Sequence, residues 1–363
     1  MLLRGGRMPL MNISKHNHNA FRKKSPILFL YYGPHPFHKG LADSIGADYK
    51  NSPKLNTDNL FSYLLSMIYL LWGGATLPDY DIYFCEGTYL FPAFAKMVGL
   101  IPKDKKIINL LADPMLYYLK TGVISGLRKK VRLELLKEVN GFVCVSKMEE
   151  ELLKEYLPNA NAITAYPYPS EERAKALAAV VPDLTSFNIL FIGNGSRYSK
   201  GVDILLEAFA AVKEQWPGSQ LNIVGNLDSK EPVGKYERMR GVNFLGYLDG
   251  ANLTAAMSGS SLYVHCGRGD AFPLSVIEAM QAGLPAIVSR WTGSKEVVEK
   301  IDKRFVVDLD SKFLAAAINI YFSMGISERK KVSIKARKFS MRFKKNKTLK
   351  KFKSDFKKLC RKS

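Results

Sequence analysis

Cysteine is scarce in this chain of 363 residues, and the four present (Cys85, Cys144, Cys266 and Cys360) stand far apart with no C-x-x-C or zinc-ligand spacing. Neither a disulfide framework nor a structural zinc site is expected; the cysteines read as buried or free thiols in a reducing compartment. Long apolar runs are missing too. The longest, from Phe61 to Trp72, is interrupted by Ser62 and Ser66 and falls short of the roughly 18 residues that span a membrane. The stretch after Met1 has no apolar core behind its first positive charge, so no secretory leader is expected. His35 and His38 have no acidic cluster nearby in the sequence, which leaves no metal site to expect. A cytoplasmic protein follows as the expectation.

Acidic residues are absent from the N-terminal end, where residues 1–25 hold six Lys/Arg and no Asp or Glu. Residues 326–363 hold seventeen Lys/Arg against Glu328 and Asp355, a net of +15. The formal charge of the whole chain is +21, so residues 26–325 are neutral and the entire excess sits on the two ends. A nucleic-acid-binding body does not fit this distribution, and no recognition motif accompanies it. Basic appendages on a neutral body suit a polyanionic surface such as phospholipid headgroups, so a peripheral position at the membrane is expected.

What the chain has is rhythm. From Pro26, short apolar runs (Ile27 to Tyr32, Ile82 to Cys85, Lys106 to Leu111, Phe142 to Val145, Ala162 to Ala165) alternate with helical patterns over Leu60–Leu71, Tyr89–Val98, Ser125–Val139 and Lys147–Tyr156. Such alternation predicts βαβ units on a parallel sheet. The pattern breaks at Tyr166-Pro-Tyr-Pro and starts again at Phe187. The expected division is a basic extension (1–25), a first α/β domain (26–168), a linker (169–186), a second α/β domain (187–325) and a basic amphipathic helix (326–363). In the tail Val332, Ala336, Phe339, Phe343, Leu349, Phe352, Phe356 and Leu359 recur at helical steps among lysines, with a break near Asn346.

In doubly wound sheets ligands sit beyond the carboxyl ends of the strands. That singles out four segments: Gly33-Pro-His-Pro-Phe-His-Lys-Gly40, Asp113 after the third apolar run, Asn194-Gly-Ser-Arg-Tyr-Ser-Lys-Gly201, and Gly267 to Glu299. At the third, Gly193 just before it and Gly195 within it allow close backbone approach, and Arg197 and Lys200 offer cations to a phosphate. In the fourth, Asp270 and Glu278 lie eight positions apart across a turn into a helix expected over Pro273–Ala282, with Gly283 as a left-handed cap. The backbone N–H groups around Phe272 and Leu274, at the positive end of that helix, suit a diphosphate. Glu278 is flanked by Val276, Ile277, Ala279 and Met280; a carboxylate so placed needs a partner, and sugar or ribose hydroxyls satisfy both oxygens. Each motif also has a plainer reading: a solvated or capping acid for Asp270, Glu278 and Asp113, and an ordinary βα turn for the glycine loop.

These residues resemble the family-4 (group 1) retaining glycosyltransferases of GT-B fold. The resemblance rests on ILFIG, KGVDILLEAF, VNFLGYL and GDAFPLSVIEAMQAGLPAIVS in Phe187–Val307, and more loosely on VCVSKMEEELLKEY in the first half. It implies two Rossmann-like domains facing a cleft, with the terminal helix crossing back to the first domain. It also implies transfer of a sugar from a nucleotide diphosphate sugar, as substrate rather than cofactor, with retained configuration and no essential metal. By motif match Asp270 would contact the donor sugar and Glu278 the ribose. Phe272 and Leu274 would face the sugar and diphosphate, Lys200 with Arg197 would neutralise the leaving diphosphate, and Gly246 would lie near the base.

The sequence departs from the family pattern in four places. Asp270 stands for the usual first Glu, Asn194 for an Arg, Ala112-Asp113 for His-Asp, and Tyr166-Pro-Tyr-Pro for Asn-Gly-Val-Asp. The reading is a glycosyltransferase, hexosyltransferase in type, acting on a lipid-linked or envelope-polysaccharide acceptor at the cytoplasmic membrane face. Two alternatives keep the fold: a catalytically silent sugar-nucleotide-binding subunit, suggested by Ala112 and Asp270, and a nucleotide-sugar epimerase.

Overall fold

The computed structural model describes residues 25–33, 35–52, 76–228 and 238–362. The helix expected over Leu60–Leu71 and part of the loop after Val224 lie outside the described residues. The first sheet contains β1 (Ile27–Tyr31), β2 (Asp48–Asn51), β3 (Ile82–Glu86), β4 (Lys106–Leu111), β5 (Gly141–Cys144) and β6 (Ala162–Thr164). All pairs are parallel, in the order β2-β1-β3-β4-β5-β6. Apolar runs place the inner strands; the edge strand β2, sequence DYKN with no buried residue, carries no apolar run to announce it.

The segment read as a loop from Gly33 to Gly40 is a loop only at its start. Helix α1 (Pro36–Ile45) begins at Pro36, where a missing N–H costs nothing, and Phe37, Leu41 and Ala42 drive its inner face into the core. Gly40 therefore sits in mid-helix: a Cβ there would fall 2.3 Å from the Tyr168 hydroxyl. It is a packing glycine under the interdomain connection, which corrects its assignment to a ligand loop, while Gly33 stays in the turn between β1 and α1. Helices α2 (Leu90–Met97), α3 (Met115–Thr121), α4 (Gly126–Lys137) and α5 (Lys147–Tyr156) complete the domain.

The linker is not a bare strap. It holds α6 (Glu171–Ala178), whose Ser170 cap accepts from the Arg173 backbone N–H at 3.1 Å. The second sheet comprises β7 (Asn188–Ile192), β8 (Gln220–Val224), β9 (Val242–Gly246), β10 (Leu262–His265), β11 (Ala286–Ser289) and β12 (Val306–Val307). It too is parallel, in the order β12-β11-β10-β7-β8-β9. Around it stand α7 (Val202–Gln215), α8 (Gly250–Ser258), α9 (Leu274–Gln281), α10 (Lys295–Val298) and α11 (Ser311–Ser323). Helix α9 ends with Ala282 as its C-cap, and Gly283 follows at φ +89°, as a left-handed cap requires.

The tail forms two helices, α12 (Ile326–Ser340) and α13 (Lys345–Lys362), and the break lies over residues 341–344, just before Asn346. Helix α12 packs on α9, and α13 crosses to the first domain, against α1 and β6. Phe352 and Phe356 meet Phe84 of β3 at centroid distances of 6.1 and 5.4 Å. Two tail arginines depart from the expected solvated face. Arg329 is buried and donates to the carbonyls of Leu184, Ser186, Phe322 and Met324, and Arg337 to those of Ala178, Val180 and Ala282. Among the described residues no helix is long and apolar enough to cross a membrane.

Candidate functional site

Both sheets point the carboxyl ends of their strands at the interdomain cleft, and the loops there supply the site. The β7–α7 turn, Gly193 to Gly201, folds onto the end of β10. Gly201 at φ +70° comes so close that a Cβ would lie 2.0 Å from the carbonyl oxygen of Cys266. This approach delivers Lys200 to Asp270 on the β10–α9 loop, Nζ to Oδ2, at 2.8 Å.

Asp270 has a second partner that the sequence reading missed. His265, at the end of β10, is buried, stacks on Phe191 and places Nε2 3.0 Å from the same Oδ2. Burial pushes the Asp270 carboxyl upward, but the His265 hydrogen bond and the Lys200 charge outweigh it and hold the group well below the usual carboxylate range. Asp270 is therefore a fixed anion with a fixed cation beside it. The only sequence signal for His265 was its place in the short apolar run from Leu262 to Cys266.

Glu278, one turn into α9, is held by Arg173 of the linker helix, Nε to Oε2, at 3.3 Å. Burial raises the Glu278 carboxyl, and Arg173 partly offsets it. Phe272 packs against Tyr166 and Phe343, and Leu274 opens α9, so the helix N-terminus faces the cleft mouth beside Asp270. At a helix start the first N–H groups lack partners within the helix.

Arg197 is buried, with its guanidinium 5.2 Å from the centroid of Phe244 on β9, while Lys200 pairs with Asp270. Asn194, where the family pattern has an arginine, ties two loops through its Oδ1 accepting from the Asn226 backbone N–H at 2.7 Å. Gly195 and Gly246 adopt φ +85° and +64°, and Gly193 lies under Gly225, whose Cβ would meet the Gly193 carbonyl oxygen at 1.9 Å. Phe244, Leu245 and Tyr247 are exposed around Gly246, an apolar surface suited to a flat ring. Another residue missed by the sequence reading, Arg268, braces the site by a bidentate pair with Asp203 at 2.7 and 2.8 Å.

On the first domain Asp113 follows β4, is exposed to the cleft and accepts from the Met115 N–H at 3.0 Å, so the turn role and the cleft position coincide. Surrounding protein raises its carboxyl, and with Asp113 nearby burial lifts the Tyr32 phenol to about 12. His38, without an acidic neighbour in the sequence, lies on the first turn of α1 with Nδ1 2.5 Å from Glu86 at the end of β3, and the His35 ring lies tilted against it at 4.6 Å. Burial and the neighbouring His38 lower the His35 pKa.

Comparison with known proteins follows the same division. Residues 186–323 match the family described as Glycosyl transferases group 1. A phosphatidyl-myo-inositol mannosyltransferase of Mycobacterium tuberculosis is 30% identical over 131 residues, which is 36% of this chain and 35% of that protein. A glycogen synthase of the same species is 25% identical over 183 residues, 49% of this chain and 44% of that protein. The match thus spans less than half the length of these curated relatives. Among solved structures, the sucrose-phosphate synthase of Thermosynechococcus elongatus superposes with a TM-score of 0.68 at 16% identity, covering 93% of this chain and 99% of that one. Anabaena HepE, solved in complex with UDP-glucose, gives 0.65 at 17% identity, covering 92% and 99%. Over residues 186–323 the chain is thus similar to the group 1 glycosyl transferases, and its two parallel six-stranded sheets share the GT-B fold of these solved structures.

Proposed function

We propose that this protein transfers a hexose from a nucleotide diphosphate sugar to a lipid-linked or envelope-polysaccharide acceptor, with retention of configuration. The observation that carries the reading is the Lys200–Asp270–His265 group at the N-terminus of α9, a cation and an oriented anion at one helix start. In that arrangement Lys200 and the first N–H groups of α9 stabilise negative charge developing on the departing diphosphate. Asp270, kept ionised, accepts from donor-sugar hydroxyls, and Glu278 with Arg173 is set for the ribose. The solved complexes of HepE with UDP-glucose and of a trehalose-6-phosphate synthase of E. coli with UDP-2-fluoro glucose support a nucleotide-sugar donor for this fold.

The test is a panel of nucleotide sugars scored by thermal stabilisation, since a ligand of the native state raises its melting temperature, followed by NMR of the product anomer. No stabilisation by any donor would sink the reading, and an inverted product would remove retention alone. A second reading, a silent binding subunit, is favoured by one observation: the shorter acid Asp270 is already engaged by Lys200 and His265. Nucleotide binding without turnover in wild type would support it. The membrane position rests on the lysine-rich outer face of α13, and co-sedimentation with vesicles unaffected by anionic lipid would refute it.

A further inference from the structure

Glu149 has no exposed surface, and neither of its carboxylate oxygens has a hydrogen-bond partner among the described residues. It occupies the first turn of α5, where the Ser146 hydroxyl takes the Glu149 N–H at 3.2 Å, so the backbone is capped and the side chain is left over. The second domain closes on this helix start. A Cβ on Gly293 would stand 2.7 Å from the Ser146 Oγ and 1.8 Å from the Ala271 carbonyl oxygen, and Glu296 of α10 accepts from the Lys147 backbone N–H. Polar atoms are left over on that side also: the Ser294 Oγ and the Glu296 Oε1 are buried without partners among the described residues. Farther along the same seam Tyr117 packs on Trp291 at 5.3 Å.

Unpaired oxygens on both faces of one contact make its closed state costly, because each lost its water without gaining a partner. For a carboxylate the cost is greatest in the charged form. We propose that this seam is a proton-dependent latch: the domains close over the cleft with Glu149 carrying a proton, and they part when it gives that proton up to water.

The groups facing Glu149 agree. Asp113 on the β4–α3 loop and Asp270 on the β10–α9 loop are the charges that oppose its ionisation, in addition to burial. The Cys144 thiol at the end of β5 is itself pushed up by burial and by Glu149. Lys147 and Glu150 share its helix, Glu296 of α10 meets that helix start through the Lys147 backbone N–H, and Lys200 and His265 are spent on Asp270. Its carboxyl thus titrates higher closed than open, so closure is complete below the ordinary glutamate range and is lost as pH rises above it, with up to about a tenfold fall in the closed-to-open ratio per pH unit.

The experiment is small-angle scattering of the full chain across pH without donor, so that its outcome is independent of the enzymatic reading. Wild type should expand as pH rises, and Glu149→Gln should stay compact with a flat profile. A wild-type profile that is already flat, or a Gln variant that follows wild type, overturns the latch. Should Glu149→Gln fail to fold by circular dichroism, Ser294→Ala decides: removing an unpaired oxygen from the opposite face should shift the molecule toward closure at every pH with the slope retained. Expansion or an unchanged curve in that variant refutes the proposal.

Discussion

Arg173, on a helix that belongs to neither sheet, donates through Nε to Oε2 of Glu278 at 3.3 Å. The linker thereby reaches an acid of the α9 helix and offsets part of the effect of its burial. Removing the guanidinium leaves Glu278 with burial alone, which raises its carboxyl further. Arg173→Met should lower stability by about 1–3 kcal/mol, as expected for a lost charge-assisted hydrogen bond. Binding of a nucleoside diphosphate should also fail at a higher pH than in wild type as the solution is acidified, because Glu278 takes up its proton sooner. Calorimetric titration across pH checks both. Equal acid limbs in the two proteins would separate Arg173 from Glu278.

Lys200 and Asp270 make a different kind of pair. The depressed carboxyl of Asp270 means that its contribution is present above the ordinary aspartate range and is lost only as pH falls through its lowered value. Lys200→Ala takes away one of the two groups that depress it. The acid limb of sugar transfer should therefore move toward neutral pH, and kcat should fall by about 10²–10³ through loss of the diphosphate cation. A drop in kcat with an unmoved acid limb would assign Lys200 to the leaving group and leave Asp270 to His265.

Gly201 tests the turn that delivers Lys200. Its φ of +70° and the carbonyl of Cys266 2.0 Å from a built Cβ leave no room for a side chain. Gly99 has φ +80° with open space around it and serves as the control. Gly99→Ala should cost only the left-handed penalty of about 1–2 kcal/mol, and Gly201→Ala clearly more. Thermal denaturation of both variants compares them. Equal losses would show that the turn can shift off β10.

The sequence made legible those features that repeat or bury. Inner strands, the helices of the second domain and the Asp270–Glu278 spacing follow from apolar periodicity, which is local and strong. What it hid are partnerships made by tertiary approach. Arg173 reads as one charge in a polar connection, His265 as a strand residue and Glu86 as an acid ending β3; only folding sets them beside Glu278, Asp270 and His38. Helix α1 was hidden by proline and glycine, whose turn signals outweighed Phe37 and Leu41. Among the tail's many cations, Arg329 and Arg337 look no different from their neighbours until the carbonyls they bind are seen.

The crossing helix α13 tests whether the two domains are stabilised together. Its apolar stripe covers β3, with Phe352 and Phe356 each about 2% exposed in contact with Phe84, and the Lys106 side chain caps its end by donating to the Cys360 carbonyl. A buried phenylalanine cut to alanine loses transfer energy and leaves a cavity, about 3–5 kcal/mol. Because the lost contacts belong to the first domain while α13 is chained to the second through α12, Phe356→Ala should destabilise the first domain and leave the second near its wild-type melting temperature. Hydrogen exchange resolved by peptide reads this directly: protection should fall over β1, β3 and β4 and persist over β7 and β10. Uniform loss across both sheets would show instead that the helix couples the domains into one cooperative unit.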